Sequence, residues 1–326
     1  MILRHGGRFN LSDKKARVLV TGASGFLGSW LCYHLNSKGY EVLAVTRPNK
    51  KIPRLERFPK SLVFACAESH WPSMIASVKP KVVIAADWSG VDSESRNLLE
   101  IQLKNVDRIE SLADACITNN VETFIAFGSH AENGPINIPA KELNYDNATT
   151  AYGKVKVELR KRLSEKLNHT STRFIWGRIF SIYGALDNPI WFLPSLINSI
   201  LDSKPFSMTS GNQVWSYLHA HDFCTAVNDL IESDTIQGVV NIGSEQTIII
   251  RDIANYVAVT LNRESLLQFG STNYRNDQVM ILQPITSTLS YLGWKPSIDI
   301  YSGLEDLVNW HEVGNGKYTV ENLYKS

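Results

Sequence analysis

Neither sign of charge dominates this sequence: 33 Lys and Arg face 32 Asp and Glu, a formal net charge of +1. That balance argues against electrostatic capture of DNA, RNA or an acidic membrane. Cysteine is scarce. Cys32, Cys66, Cys116 and Cys224 are far apart and form no Cys-x-x-Cys pair, so neither a disulfide scaffold nor a metal site is expected. No run approaches 18 apolar residues, which leaves nothing to span a bilayer. The stretch from Met1 to Lys15 is polar and lacks the apolar core of a secretory leader, so a cytoplasmic location is the default expectation. Internal repeats and low-complexity segments are also missing. What is present is an ordinary globular composition, 44% hydrophobic and 20% charged, in 326 residues. That length suits a large core and two packed domains.

The order of elements points to an α/β fold. Arg17 to Val20 reads as a strand, followed by a glycine turn and a helix from about Phe26 to Ser37 that Gly39 ends. Further strands are expected at Glu41–Thr46, Ser61–Ala65, Lys81–Ala86, Glu122–Phe127 and Thr172–Phe180, with helices near 97–119 and 150–167. Strands and helices alternating at this spacing imply βαβ units: a Rossmann-type, doubly wound, mostly parallel sheet. After Gly184 the pattern becomes irregular and richer in Pro, Trp and Ser. The expected division is a dinucleotide-binding domain over 15–184 and a smaller, mainly substrate-binding domain over 185–326. A segment near 215–243 should return to the first domain, its strand at Gly238–Ile242 rejoining the sheet.

The first turn reads Gly22-Ala23-Ser24-Gly25-Phe26-Leu27-Gly28, a Gly-x-x-Gly-x-x-Gly between strand and helix. Gly22 permits a tight turn, Gly25 lets a pyrophosphate approach the backbone, and Gly28 lets the helix lie close to the sheet. With Ser24, Phe26 and Leu27 between them, and Ala85 and Ala86 at the end of a neighbouring strand, these residues are the candidate cofactor contacts. Cofactor choice is set at the end of the second strand. An acid there would bind the ribose hydroxyls of NAD, but the strand ends in Thr46 and Arg47, with Lys50 and Lys51 beyond. Thr46 and Arg47 could take a 2′-phosphate. NADP(H) is therefore expected over NAD(H).

Tyr152 and Lys156 are four apart in an expected helix and so share a face. A phenol with an ordinary pKa near 10 exchanges protons poorly at neutral pH, and a nearby ammonium favours its phenolate. Ser129 ends the strand Phe124–Gly128, at the sheet edge where open α/β sheets bind ligands, and could hold the same substrate oxygen.

With these residues in place, the chain resembles the extended short-chain dehydrogenase/reductases, in particular the nucleotide-sugar epimerase, dehydratase and 4-ketoreductase group. The resemblance extends through Arg178-Ile179-Phe180-Ser181-Ile182-Tyr183-Gly184, Leu218-His219-Ala220-His221-Asp222, Asn241-Ile242-Gly243 and Leu292-Gly293-Trp294-Lys295-Pro296. It implies a nucleoside-diphosphate sugar as substrate. It implies that Asn105 supports the active-site lysine through water, making Ser129, Tyr152, Lys156 and Asn105 the catalytic set. It also implies a homodimer built from the helices near 97–119 and 150–167.

The departures narrow the chemistry. Dehydratases of the group carry an acid two places after the catalytic Ser or Thr, and some epimerases a cysteine; this chain has Ala131 there, with Glu132 one residue out of register. His130 is a candidate substrate contact. Gln213-Val214-Trp215-Ser216 stands where the group often keeps a diphosphate-binding arginine, while Arg275 matches a second such arginine. The expected function is an NADPH-dependent reductase of a 4-keto-6-deoxy nucleotide sugar, with Tyr152 giving a proton to the C4 oxygen. The alternatives are an NAD-dependent nucleotide-sugar 4-epimerase and a non-catalytic, regulatory dinucleotide-binding protein.

Overall fold

The computed structural model describes residues 15–313 except 93, 143–145 and 276; the remainder of the polar N-terminal stretch and residues 314–326 lie outside the described residues. The chain opens with β1 (Arg17–Thr21), α1 (Phe26–Ser37), β2 (Glu41–Thr46), β3 (Val63–Ala65), α2 (Trp71–Val78) and β4 (Val82–Ala85). There follow α3 (Leu99–Thr118), β5 (Thr123–Ser129), α4 (Ala151–Leu167), β6 (Arg173–Ile179), β7 (Ile182–Tyr183) and α5 (Phe192–Leu201). Next come β8 (Phe206–Met208), β9 (Val214–Ser216), β10 (Leu218–His219), α6 (Ala220–Glu232), β11 (Gly238–Ile242) and β12 (Thr247–Ile249). The last elements are α7 (Ile250–Thr260), β13 (Leu267–Phe269), β14 (Ile281–Leu282), α8 (Ser287–Tyr291) and α9 (Ile300–Glu312).

Seven strands form one sheet in the order β11-β6-β5-β4-β1-β2-β3, every pair parallel. This is the Rossmann-type, doubly wound fold expected from the alternation. The order reverses between β1 and β4, so a crevice opens over their carboxyl ends. Successive residues of β1 serve opposite faces, as strand geometry requires. Val18 and Val20 pack with Trp30 and Phe223 under α1 and α6, whereas Leu19 packs with Ile109, Leu112 and Leu159 under α3 and α4. A separate core, including Leu196, Ile197, Ile253, Val257, Leu304 and Leu307, joins α5, α7 and α9 in the smaller C-terminal domain.

Two local differences have simple causes. The helix α2 is not among the expected elements; its Pro72 lies in the first turn, where a missing N–H has no intrahelical partner to lose. The strand expected over 61–65 begins at Val63, since Lys60–Leu62 close a tight 3₁₀ turn first. No helix among the described residues is long and apolar enough to cross a membrane.

Candidate active site

The turn after β1 is fixed by backbone crowding. Gly22 has φ +66°, and a Cβ there would lie 2.6 Å from the carbonyl carbon of Ala86. At Gly28 a Cβ would lie 2.3 Å from the Gly22 oxygen, so this glycine sets how closely α1 meets the turn. Gly25 precedes α1 without any side-chain cap, and no acid occupies the first turn. The first amides of α1 are therefore left for an anion, with the helix dipole aligned to favour it. A cavity of about 530 Å³ opens here. Gly22, Ser24, Gly25, Phe26 and Leu27 from the first turn line it, with Thr46 and Arg47 after β2, Ala85 and Ala86 at β4, and Tyr152 and Lys156 of α4. A glycine turn with free helix amides and a Tyr–Lys pair on one cavity wall suit a nicotinamide dinucleotide.

Thr150 caps α4 by accepting from Gly153 N–H, and the first turns of that helix carry Tyr152 and Lys156. Burial pushes the Tyr152 phenol up to about 12, and the polar Ser129 side chain pulls the other way. Lys156 is 3% exposed and donates from Nζ to the Phe127 carbonyl at 2.5 Å. Burial pushes its amine down to about 7, against the charges of Glu132 and Asp87.

The end of β5 is held by a buried carboxylate. Glu132 accepts from its own turn at Ser129 N–H (2.8 Å) and from Trp176 Nε1 (3.0 Å). The guanidinium groups of Arg178 and Arg160 both lie 3.4 Å from it. Ser129 in turn accepts from Ala131 N–H, which completes a capping box. Gly128 is required beside this carboxylate, because a Cβ there would sit 2.2 Å from Glu132 Oε1. Glu132 thus builds the turn that presents Ser129. The Ser-x-x-Glu spacing was the available signal for it, and comparison of register alone passed over it.

The end of β4 is held from α3. Asn105 accepts at Oδ1 from Ser89 N–H and Arg108, and donates from Nδ2 to the carbonyls of Ser89 and Ile101. Asp87 pairs with Arg108 Nε at 2.6 Å and accepts from Thr21. Trp88 donates from Nε1 to Gln102 Oε1 at 2.9 Å, and its ring centroid lies 3.3 Å from Lys156 Nζ. Asp87, Trp88, Gln102 and Arg108 carry no motif, and sequence reasoning did not find them. Nor did it find Arg54, which lines the cavity and donates to the carbonyls of Ser24 and Leu186, tying the phosphate turn to the segment after β7.

The remaining candidates lie apart from the cofactor cleft. His130 follows Ser129 and packs its ring 6.2 Å from Phe180; burial, then the charge of Arg96, pushes its pKa down to about 4. Arg275 is exposed and pairs loosely with Asp277 at 3.8 Å, outside the cavity lining. Trp215 sits in β9 and donates to the Val279 carbonyl at 2.8 Å. Among the described residues no three His, Cys, Asp or Glu side chains are grouped to hold a metal.

The sequence pattern of the NAD dependent epimerase/dehydratase family matches residues 18–243. The chain belongs to that family. Its members' extended short-chain dehydrogenase/reductase architecture makes it an NAD(P)-dependent oxidoreductase. CDP-abequose synthase of Salmonella muenchen is 22% identical, covering 92% of this chain and 99% of that protein. The structure is similar to MoeE5 in complex with UDP-glucose and NAD, with a TM-score of 0.79 and 21% identity over 91% of this chain and 99% of that one. UDP-glucose 4-epimerase of Thermus thermophilus in complex with NAD gives 0.79 and 20% over 90% and 98%.

These complexes correct the expected cofactor: both of these structures that share the fold hold NAD, not NADP. Thr46 is 5% exposed, and Arg47 is an exposed side chain with no hydrogen bond or ion pair among the described residues. A basic residue standing where an acid is missing is not by itself a preorganised phosphate site.

Proposed function

We propose that this family member is an NAD-dependent 4-epimerase of a nucleoside-diphosphate sugar. The observation that carries the reading is a single candidate proton-transfer group, Tyr152, which lines the dinucleotide cleft together with Lys156 and whose phenol is influenced by the Ser129 side chain. At positions 131 and 132, next to Ser129 in sequence, no second acid/base group is on offer. Ala131 is apolar and buried, and Glu132 is committed to Trp176 and two arginines. Elimination of water or epimerisation beside a ketone needs such a group; oxidation and reduction at one carbinol carbon do not.

Bound NAD would supply hydride acceptance and return at that carbon, and its oxidised ring favours a phenolate nearby. Tyr152 takes the proton of the sugar C4 hydroxyl and later returns it to the same oxygen, so the cycle is neutral in protons. Ser129 holds that oxygen in both directions and stabilises its charge as it develops. Lys156 provides positive charge beside the phenol and an N–H toward the nicotinamide ribose. The turn amides of α1 hold the pyrophosphate, with Thr46, Ala85 and Ala86 along the adenosine side. We assign substrate recognition to His130, as a neutral imidazole, and to Arg275. The cofactor half comprises residues 15–184 with 215–243, and the remainder serves the sugar nucleotide. Two copies pair through α3 and α4, a reading supported by Leu99 and Leu103, which are 54% and 48% exposed on α3.

The test is cofactor stoichiometry. Purified protein, NAD and a panel of nucleoside-diphosphate hexoses should give 4-epimers with no net change in reduced cofactor. Tyr152→Phe should lower the rate by roughly 10²–10⁴ while NAD binding persists. One reduced cofactor consumed per 4-keto sugar, without interconversion of 4-hydroxy epimers, would replace this reading with a reductase.

A further inference from the structure

The resemblance assigns Asn105 to support of the active-site lysine through a water. The structure closes that route. The side-chain amide has two acceptor positions and two donor positions. Ser89 N–H and Arg108 take the first pair, and the carbonyls of Ser89 and Ile101 take the second. Asn105 is 0% exposed, and its hydrogen bonds all run within α3 or to the segment after β4.

What Asn105 does hold is the loop that carries Trp88. Gln102, one turn earlier on α3 and also 0% exposed, accepts from Trp88 Nε1 and donates to the carbonyls of Gly90 (2.7 Å) and Ser95 (3.1 Å). Gly90 itself has φ +75°, and a Cβ there would meet the side chains of Ile101 at 2.6 Å and Gln102 at 2.9 Å. The loop is therefore clamped to the helix at 88, 89 and 90. The clamp places the indole face 3.3 Å from Lys156 Nζ and 6.0 Å, edge-on, from the Tyr152 ring.

We propose that Trp88 is a positioning residue for Lys156, its indole face holding the ammonium charged and in place where Asn105 has no hydrogen bond left to give. The inference rests on the reading of Tyr152 and Lys156 as the proton-transfer pair. Lys156 has three N–H bonds. The Phe127 carbonyl takes one, the indole face a second, and the third is left for the cleft that Lys156 lines. A desolvated ammonium over an indole face gains most from the ring quadrupole, because no water competes.

Other charges also face this amine. Glu132 from the turn after β5 and Asp87 from the end of β4 favour its charged form; Arg108 from α3 opposes it. Tyr152 stands on its own helix, with its ring centroid 5.7 Å away, and the Trp176 ring of β6 is equally distant. Glu132 and Asp87 are already paired with arginines, so their fields are partly cancelled. Trp88 is the one of these neighbours in direct contact.

The experiment reads the lysine itself. Full-length protein carrying ¹³Cε-lysine is titrated by NMR, the Lys156 signal being identified by its loss in Lys156→Met. Trp88→Leu, which keeps an apolar side chain but removes the ring quadrupole, should lower the midpoint by roughly one pH unit. Trp88→Phe should lower it by less. Gln102→Leu, which leaves the indole but removes its anchor, should fall between wild type and Trp88→Leu. The alkaline limb of turnover should move down with the midpoint in each variant. If Trp88→Leu does not fold by circular dichroism, the Trp88→Phe and Gln102→Leu shifts decide. Midpoints unchanged in every folded variant would overturn the proposal. Retention of turnover in Tyr152→Phe would instead sink the catalytic reading, while the titration would still answer for Trp88.

Discussion

The two walls of the site, the end of β5 and the end of β4, are both rigid but are built by opposite means. At β5 a turn is closed by its own sequence: Ser129 and Glu132 satisfy each other's backbone, and Glu132 is then neutralised by Arg178 and Arg160. At β4 the loop makes little of its own structure. Asn105, Gln102 and Arg108 reach back to it from α3, mostly through neutral amide hydrogen bonds. A wall made of a buried charge fails abruptly when one partner goes, because an uncompensated ion is left in a poorly solvated place. A wall made of amides fails in steps, one hydrogen bond at a time.

Removing the carboxylate should therefore give the largest effect. Glu132→Ala leaves the Trp176 and Ser129 N–H groups without their acceptor and removes the carboxylate facing buried Arg178, while Arg160 keeps Asp146; it is expected to cost about 3–5 kcal/mol in urea denaturation. It should also reduce the fraction of protein that folds. A loss below about 1 kcal/mol would mean that water enters and replaces the carboxylate, and the contrast between the walls would disappear.

Asn105→Ala comes next, at about 1–3 kcal/mol. It should leave the far-ultraviolet spectrum intact but weaken the near-ultraviolet signal assigned to Trp88 by difference from Trp88→Phe. A cost equal to that of Glu132→Ala would make the β4 wall as brittle as its neighbour.

The smallest effect concerns His130, on the β5 wall alone. Its pKa is pushed down to about 4 by burial and by Arg96. Between about 4 and its ordinary value near 6.5, the unfolded chain holds a proton that the folded chain lacks. Stability from this residue thus rises with pH through that window and is lost as pH falls through it. His130→Gln should flatten this part of the melting-temperature profile by a few degrees, about 2 °C per kcal/mol in a chain of this size. An unchanged slope would show that the imidazole is solvated in the folded state.

Much of the first layer was legible. Gly22 and Gly28 announce a tight turn because a side chain there would strike backbone, and alternating strands and helices fix the sheet. Tyr152 and Lys156 share a face because helical period is local. Less was legible where meaning depends on contact. Arg47 read as a phosphate ligand from the lack of an acid, yet it is an exposed, unpartnered side chain among the described residues, and NAD is the cofactor of the similar structures. Asn105 was drawn toward Lys156 by resemblance, and its four hydrogen bonds go elsewhere.

By itself the sequence determined the doubly wound sheet, the glycine turn after β1 and the placing of Tyr152 and Lys156 on one helix face, all consequences of short-range spacing and of backbone conformations few residues can adopt. Only the tertiary structure decided what surrounds that pair. Trp88 reaches Lys156 across 68 positions of chain, and Glu132 reaches Arg178 across 46. Such meetings depend on how β4, β5, β6 and the helices α3 and α4 pack, and no local pattern in the residues records them.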